Sequence, residues 1–300
     1  MIRLAKNLYT SNARFVFELL QNADDNEYNK TNDSPFISFH VHPRQIVVEY
    51  NEDGFTPGNL RAICNVGQST KKGAQGYIGE KGIGFKSVFM VAWKVLIQSG
   101  DFSFYFQHRR GDSGMGMISP VWQEPEQTLP ESLTRVTLFL HDSGDAAFLT
   151  TQRHSISSQF HELQDTFLLF LKKIKQINLK FYNEDHKMTK EVIHALENAS
   201  GGAKARLTKE TITADNTEKS SRAYHITRYV ATDLEKNDNR EYSEAEEAQK
   251  KYSTSEVVLA FPLTSDSSPL LEVQDVFAFL PLRSAGFYVR PFAAVTVSLD

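Results

Sequence analysis

The sequence predicts an α+β protein: a two-layer sandwich of helices on a mixed sheet, followed by a smaller β-rich region. Three observations carry this expectation. Arg14 to Asp25 is strongly helical, with Phe15, Leu19 and Ala23 repeating along one face. Phe36 to His42 and Gln45 to Tyr50 alternate or run apolar on either side of a Pro43-Arg44 break, the pattern of two strands joined by a short turn. After Ile177, strand-like runs separated by polar stretches take over the chain. The sequence therefore divides into a first domain over 1–175 and a β-rich, middle-like domain over 176–300. The last strand pattern reaches Asp300 uncovered, so the second domain is expected to be incomplete.

The remaining elements follow in order. Asp24 to Ser34 is dense in Asn and Asp and has no apolar period, so it reads as a loop, and Asn51 to Gly54 as an acidic turn. Pro57 and Asn59 open a second helix reaching Asn65. Gly67 to Gly82 lacks a core face and reads as a surface loop, followed by a helix from Ile83 to Trp93. Lys94 to Gln98, Phe102 to Gln107, Met115 to Ile118 and Arg135 to Leu140 are candidate strands. Ser155 to Ile174 places Ile156, Phe160, Leu163, Phe167, Phe170, Leu171 and Ile174 at helical spacing. Beyond it, Ile177 to Tyr182, Ala205 to Thr213, Tyr224 to Ala231, Val257 to Pro262 and Val276 to Leu280 read as strands, with a polar interruption from Asp233 to Lys251.

Composition narrows the function. The 33 basic and 37 acidic residues leave a net charge of −4, and no run of Lys or Arg suggests a surface that tracks phosphates, so nucleic acid is not an expected partner. A single cysteine, Cys64, excludes an internal disulfide and a zinc site built on several thiolates, which fits a reducing compartment. The longest apolar run, Val88 to Ile97, is broken by Lys94 and is too short to span a bilayer, and the N-terminus lacks a signal-peptide core. The expectation is a soluble intracellular protein, cytoplasmic or nuclear, with no membrane partner.

The chemistry concentrates in two stretches. In FVFELLQNADD, Glu18 and Asn22 sit four apart on a helix and share one wall. A carboxylate can orient or deprotonate water, and an amide oxygen is a hard ligand suited to magnesium. In GYIGEKGIGFKS, Gly79, Gly82 and Gly84 precede an apolar helix, the arrangement that brings backbone N–H groups against phosphates. A P-loop fails here because Phe85 occupies the lysine place, and a G-x-G-x-x-G loop fails because Ser87 replaces the third glycine. His40 and His42 share a strand face without an evident third metal ligand, Cys64 lacks a base, and Phe102, Phe104 and Phe106 read as core.

Taken in order, the E-x-x-x-N helix, the acidic Gly turn, the G-x-x-G-x-G segment and Thr134 in TRVTLFL resemble the GHKL or Bergerat-fold ATPases. That superfamily contains gyrase, the ninety-kilodalton heat-shock chaperone, histidine kinases and the MutL repair proteins. ELLQNADDN, DGFTPGNLRAICNVGQSTK and GEKGIGFKSVF are most similar to the ATPase domains of sacsin-type and plant NO VEIN-type proteins, over about the first half of the chain. FAFLPL at 277–282 is a weaker likeness, and the tail from Tyr288 does not continue it.

The resemblance implies ATP and Mg2+ as cofactors. Glu18 would activate water for attack on the γ-phosphate, and Asn22 would hold the magnesium, with Asp25 one turn further along the same face. The superfamily turn is D-x-G-x-G, whereas this chain has Asn51-Glu52-Asp53-Gly54-Phe55; the group reading adenine is then Asp53 or Asn51, beside Gly54. Thr134 would complete that pocket. Gly79, Gly82, Gly84 and the adjoining Phe85 would approach the triphosphate, with Lys86 adding positive charge; Lys71, after Ser69 and Thr70, would touch phosphate on closure. The activity so implied is slow, Mg-dependent ATP hydrolysis in a chaperone-like module acting on protein clients. Two alternatives remain: a nucleotide-sensing scaffold without turnover, and a protein histidine kinase with His154 or His161 as phosphoacceptor.

Overall fold

The computed structural model describes residues 15–64, 84–109, 112, 117, 119–142, 144–198, 203–235, 253–270, 275–278, 280–284 and 294–297. Among them, helix α1 (Phe15–Asp24) is followed by a hairpin, β1 (Phe36–Val41) and β2 (Gln45–Tyr50), and by helix α2 (Pro57–Cys64). A 3-10 segment (Gly84–Met90) leads into β3 (Ala92–Ser99), β4 (Phe102–Gln107), β5 (Val121–Trp122) and β6 (Thr134–Leu140). Helix α3 (Ala146–Glu162) and a second 3-10 segment (Asp165–Leu169) precede β7 (Gln176–Tyr182), β8 (Met188–Asn198), β9 (Lys204–Thr213), β10 (Thr217–Ala231) and β11 (Ser255–Leu263). β12 (Asp275–Ala278), β13 (Leu280–Ser284) and β14 (Ala294–Val297) come last.

This is a mixed α+β protein dominated by one large sheet with few helices. The strand order is β13-β12-β14-β11-β10-β9-β8-β7-β1-β2-β6-β3-β4-β5. Alternation sets the core: Phe39, Val48, Val136, Ile97 and Phe104 are paired residue to residue across β1, β2, β6, β3 and β4, and all are buried. Because side chains on a strand alternate in direction, this row puts one face of five strands into a single hydrophobic cluster, which also takes in Phe15, Leu19 and Ala23 of α1. The other face carries charge at Glu49 and Arg135, where Arg135 of β6 donates to Glu49 of β2 at 2.7 Å.

β1 and β7 pair in parallel, Ile37 opposite Ile177 and Phe39 opposite Leu179, so the ladder runs without a break across the sequence boundary at residue 175. β7 to β11 then form an antiparallel meander.

Several expected elements shift. The helix expected over Ile83–Trp93 is a 3-10 segment that stops at Met90, because the chain enters β3 at Ala92, which pairs with Leu140 of β6, and from Lys94 it pairs with both β6 and β4. The helix expected over Ser155–Ile174 instead spans Ala146–Glu162. Its start is set by Asp145, whose side chain accepts from the Phe148 N–H at 2.7 Å. Phe167, Leu171 and Ile174 stay buried and Phe170 partly so, but they fold as a short 3-10 segment and a turn. β8 was not expected, since Met188–Asn198 contains Glu, Ala and Leu, but pairing on both edges with β7 and β9 overrides that local preference. Most of the expected strand over Met115–Ile118 lies outside the described residues; Met117 is buried and is not in a strand.

Candidate functional site

The site is built on α1. Of its ten residues, the only two that are not buried are Glu18 and Asn22. A helix enclosed on almost every side therefore opens at one carboxylate and, one turn later, at one amide. Burial raises the Glu18 carboxyl above its ordinary value, because a partly desolvated carboxylate loses hydration that the neutral acid does not need.

The 3-10 segment packs directly against α1, so Gly84, the last of the three motif glycines, opens an element that lies beside the Glu18–Asn22 helix. Gly79 and Gly82 lie outside the described residues, as do Ser69, Thr70 and Lys71. Phe85 is partly buried against the hydrophobic cluster. Lys86, expected to add charge near phosphate, is 1% exposed. Its ammonium donates to the carbonyl oxygen of Ile63, at 2.7 Å, and to that of Met117, and lies 4.4 Å from the Phe106 ring centre. Desolvation lowers it to about 7. Those bonds tie the last turn of α2 and Met117 to the segment packed on α1.

The acidic turn closes on the other end of α1. The Tyr28 hydroxyl donates to the Ala23 carbonyl at 2.7 Å, and the Asp53 N–H donates to the Glu27 carbonyl at 2.8 Å. Burial and the charges of Glu52, Asp24 and Asp53 raise the Tyr28 phenol far above its usual range. Asn51 is engaged within the protein: its carbonyl oxygen accepts from Phe36 N–H at 2.8 Å, and its amide donates to Thr31 Oγ1 and to the Ser34 carbonyl. Asp53 accepts from Asn29 Nδ2 at 2.9 Å and from Lys30 N–H at 2.7 Å.

Gly54 has φ of +90°, a conformation that favours glycine, and it lets Phe55 N–H reach Ser99 Oγ at 2.9 Å. Ser99 Oγ in turn lies 2.5 Å from Thr134 Oγ1, and Thr134 is fully buried opposite both Tyr50 and Ser99 in the sheet. The turn 51–54, Thr134 and the C-terminal end of α1 thus converge, while Asp25 is buried just beyond the helix.

Two groups in this region escape a reading of the motif alone. Glu52 is 4% exposed and close enough to Tyr28 and Tyr50 to raise both phenols. Its signal was its place two residues before Gly54, the carboxylate spacing of D-x-G. Ser99 had no signal, since only the β3–β6 register brings it to Thr134. Among the described residues no group of three or more His, Cys, Asp or Glu is disposed to hold a metal. A magnesium ion here would rest on the Asn22 amide oxygen and on phosphate oxygens, a sparse protein donor set that suits this ion.

Elsewhere, His42 stacks on Tyr182 with ring centres 4.1 Å apart, and His40 Nδ1 lies 3.3 Å from the Tyr182 hydroxyl, so both histidines are partly packed. Cys64 is partly buried, and desolvation raises its thiol. His154 and His161 are exposed on α3. Among the described residues no helix is long and apolar enough to cross a membrane.

Comparison with known proteins adds the relationship. No family model matches the chain. It is 33% identical over 299 residues to Protein NO VEIN of Arabidopsis thaliana, covering 94% of this chain and 10% of that protein. It is also 33% identical over 138 residues to sacsin of Homo sapiens, covering 40% of this chain and 3% of that protein. The chain is thus related to both and spans about a tenth of NO VEIN and less of sacsin. Among solved structures, the N-terminal domain of a DNA repair protein overlays with a TM-score of 0.49 at 13% identity, over 93% of this chain and 77% of that one.

Proposed function

We propose that this chain is a Bergerat-type module that binds Mg-ATP and hydrolyses it slowly, using nucleotide state to drive conformational change in a chaperone-like protein. The observation that carries the reading is the pairing on α1: in a helix otherwise buried, the two residues left partly open are the carboxylate and the amide that the chemistry requires, one turn apart. The likeness to NO VEIN and sacsin supports it.

In this reading Glu18 orients a water and accepts its proton during attack on the terminal phosphate, a role helped by a carboxyl whose proton affinity is raised. Asn22 offers an amide oxygen to magnesium, which when bound offsets charge on the phosphate oxygens. Gly84 begins the element beside them, and the turn Asn51–Gly54 with Thr134 lies at the far end of α1 as the base-binding region. There Glu52 lies beside Asp53, buried near Tyr28 and Tyr50. Turnover is slow because the chemistry rests on positioning one water, with no covalent intermediate.

One observation favours the second reading, a nucleotide-sensing scaffold without turnover: the side chains of Asn51 and Asp53 are both bonded within the protein. The assay separates the two. ATP titration with and without magnesium should show metal-dependent binding that Asn22→Ala abolishes, and Glu18→Gln should bind but release phosphate about 10²-fold or more slowly. Metal-dependent binding with no turnover in either protein selects the scaffold. Absence of magnesium-dependent binding, or equal turnover by Glu18→Gln and its parent, refutes the ATPase.

A further inference from the structure

Two residues beyond Asn22, the helix makes a connection that the nucleotide reading does not use. Asp24 is buried, and its carboxylate accepts three backbone N–H groups from a segment about 150 positions away: Lys172 at 2.8 Å, Lys173 at 2.8 Å and Ile174 at 2.9 Å. Consecutive N–H groups converging on one carboxylate form an anion cradle, with bonds stronger than those between neutral groups. The neighbouring contacts repeat the connection. Lys173 Nζ donates to the Asn26 carbonyl at 2.6 Å and lies 2.9 Å from Glu27 Oε1.

The cradle leads directly into the β-rich half. Ile174 is two residues before β7, and the intervening Lys175 donates its N–H to Pro35 and accepts from Leu196 N–H of β8, both at 2.8 Å. The linker also packs on both sides: Phe167 lies 5.3 Å from Phe17 of α1, while its 3-10 segment packs against β8 and β9. At the other end of α1, Val16 N–H donates to Gln159 Oε1 of α3 at 3.1 Å. The helix bearing Glu18 and Asn22 is therefore held near its start, at Val16 and Phe17, and at its last residue, Asp24, by the segment 159–174, and the tightest of these holds is the one at Asp24.

We infer that Asp24 is a positioning residue that joins α1 to β7 and β8, so that the helix and the root of the β-rich meander open and close as one unit. For the ATPase, which rests on the reading above, its consequence is that nucleotide held at Glu18 and Asn22 restrains the strands β7 and β8. A local cap for residues 172–174, with no effect on α1, is the competing explanation.

Amide hydrogen exchange on the nucleotide-free protein decides between them, with Asp24→Asn as the variant and amides of the β3–β4 ladder as internal controls. The joined unit predicts that exchange accelerates by about tenfold, and by a common factor, at Gln21–Asp25 and at Lys172–Tyr182, with the controls unchanged. Acceleration confined to 172–174 overturns the inference. If the controls also accelerate, Asp24→Glu, which keeps the charge but displaces its oxygens, carries the same comparison.

A second arm adds Mg-ATP. Exchange at 172–182 should slow in the parent, whereas Asp24→Asn should bind with a Kd within about threefold of the parent and lose both the slowing and about tenfold in kcat. Parent protein that binds Mg-ATP without slowing, or a variant that keeps it, refutes the coupling and leaves the nucleotide reading intact. Parent protein that does not bind Mg-ATP refutes the nucleotide reading, and the first arm then decides the joined unit by itself.

Discussion

Replacing Lys86 by methionine should remove most of the pH dependence that this one side chain imposes on stability. The ammonium is 1% exposed, and desolvation lowers it from 10.5 to about 7 in the folded protein. An unfolded lysine titrates near 10.4. Between these values the unfolded chain holds a proton that the folded chain has released, so stability rises with pH and is lost as pH falls toward 7. The slope approaches about 1.4 kcal/mol per pH unit, and integrated from about pH 7 to about pH 8.5 the group contributes ~1.5 kcal/mol. Urea unfolding of parent and Lys86→Met at both pH values, in a Cys64→Ala background, isolates it, because Cys64 is the group coupled to Lys86 and the titrating groups not coupled to it cancel in the difference. The variant also strands the Ile63 and Met117 carbonyls, at about 1–3 kcal/mol each, but that loss is common to both pH values. Equal rises in the two proteins would show that the ammonium is not desolvated in the folded state, and the reasoning would fail.

Glu49 carries the opposite sign. A hydrogen bond from His40 and then the Arg135 guanidinium hold its carboxyl down to about 2, so its contribution is fully present above about 4.5 and is lost as pH falls through 2. Allowing for partial exposure, the parent should lose about 1–2 kcal/mol more than Glu49→Gln between about pH 6 and about pH 3, read by urea unfolding. Asn51→Ala removes three hydrogen bonds that pin residues 31–36 to the end of β2, and should cost about 2–4 kcal/mol by the same assay. A cost under about 0.5 kcal/mol would mean that the amide is not structurally engaged.

The legible parts of the chain were those in which local pattern and tertiary environment agree. Phe15–Asp24, the hairpin at 36–50 and Phe102–Gln107 were readable because their apolar periods match the surfaces they bury. One shifted expectation and one strand that was not expected have a common cause. Leu163 to Ile174 has a helical period, yet its last amides bond to Asp24 instead of continuing a helix; Met188 to Asn198 has helical composition, yet neighbours on both edges supply ladder bonds. In each case a partner distant in sequence outweighed preferences of a few tenths of a kcal/mol per residue. Lys86 shows the same limit within the candidate site: its place beside three glycines suggested phosphate, but its ammonium turns inward to two carbonyls.

By itself the sequence determined the α+β composition, the helix that presents Glu18 and Asn22 on one wall, and the likeness from which a role for those residues is proposed, because each depends on spacing over a few residues and helix geometry converts spacing into direction. Only the tertiary structure decided that the two residues are the open positions of an otherwise buried helix, that Thr134 meets the Gly54 turn through Ser99, and that one sheet runs across residue 175. Those outcomes rest on register, on parallel pairing of β1 with β7 and on a carboxylate capturing amides about 150 residues away. Such contacts are made between segments whose distance along the chain carries no information about their distance in space.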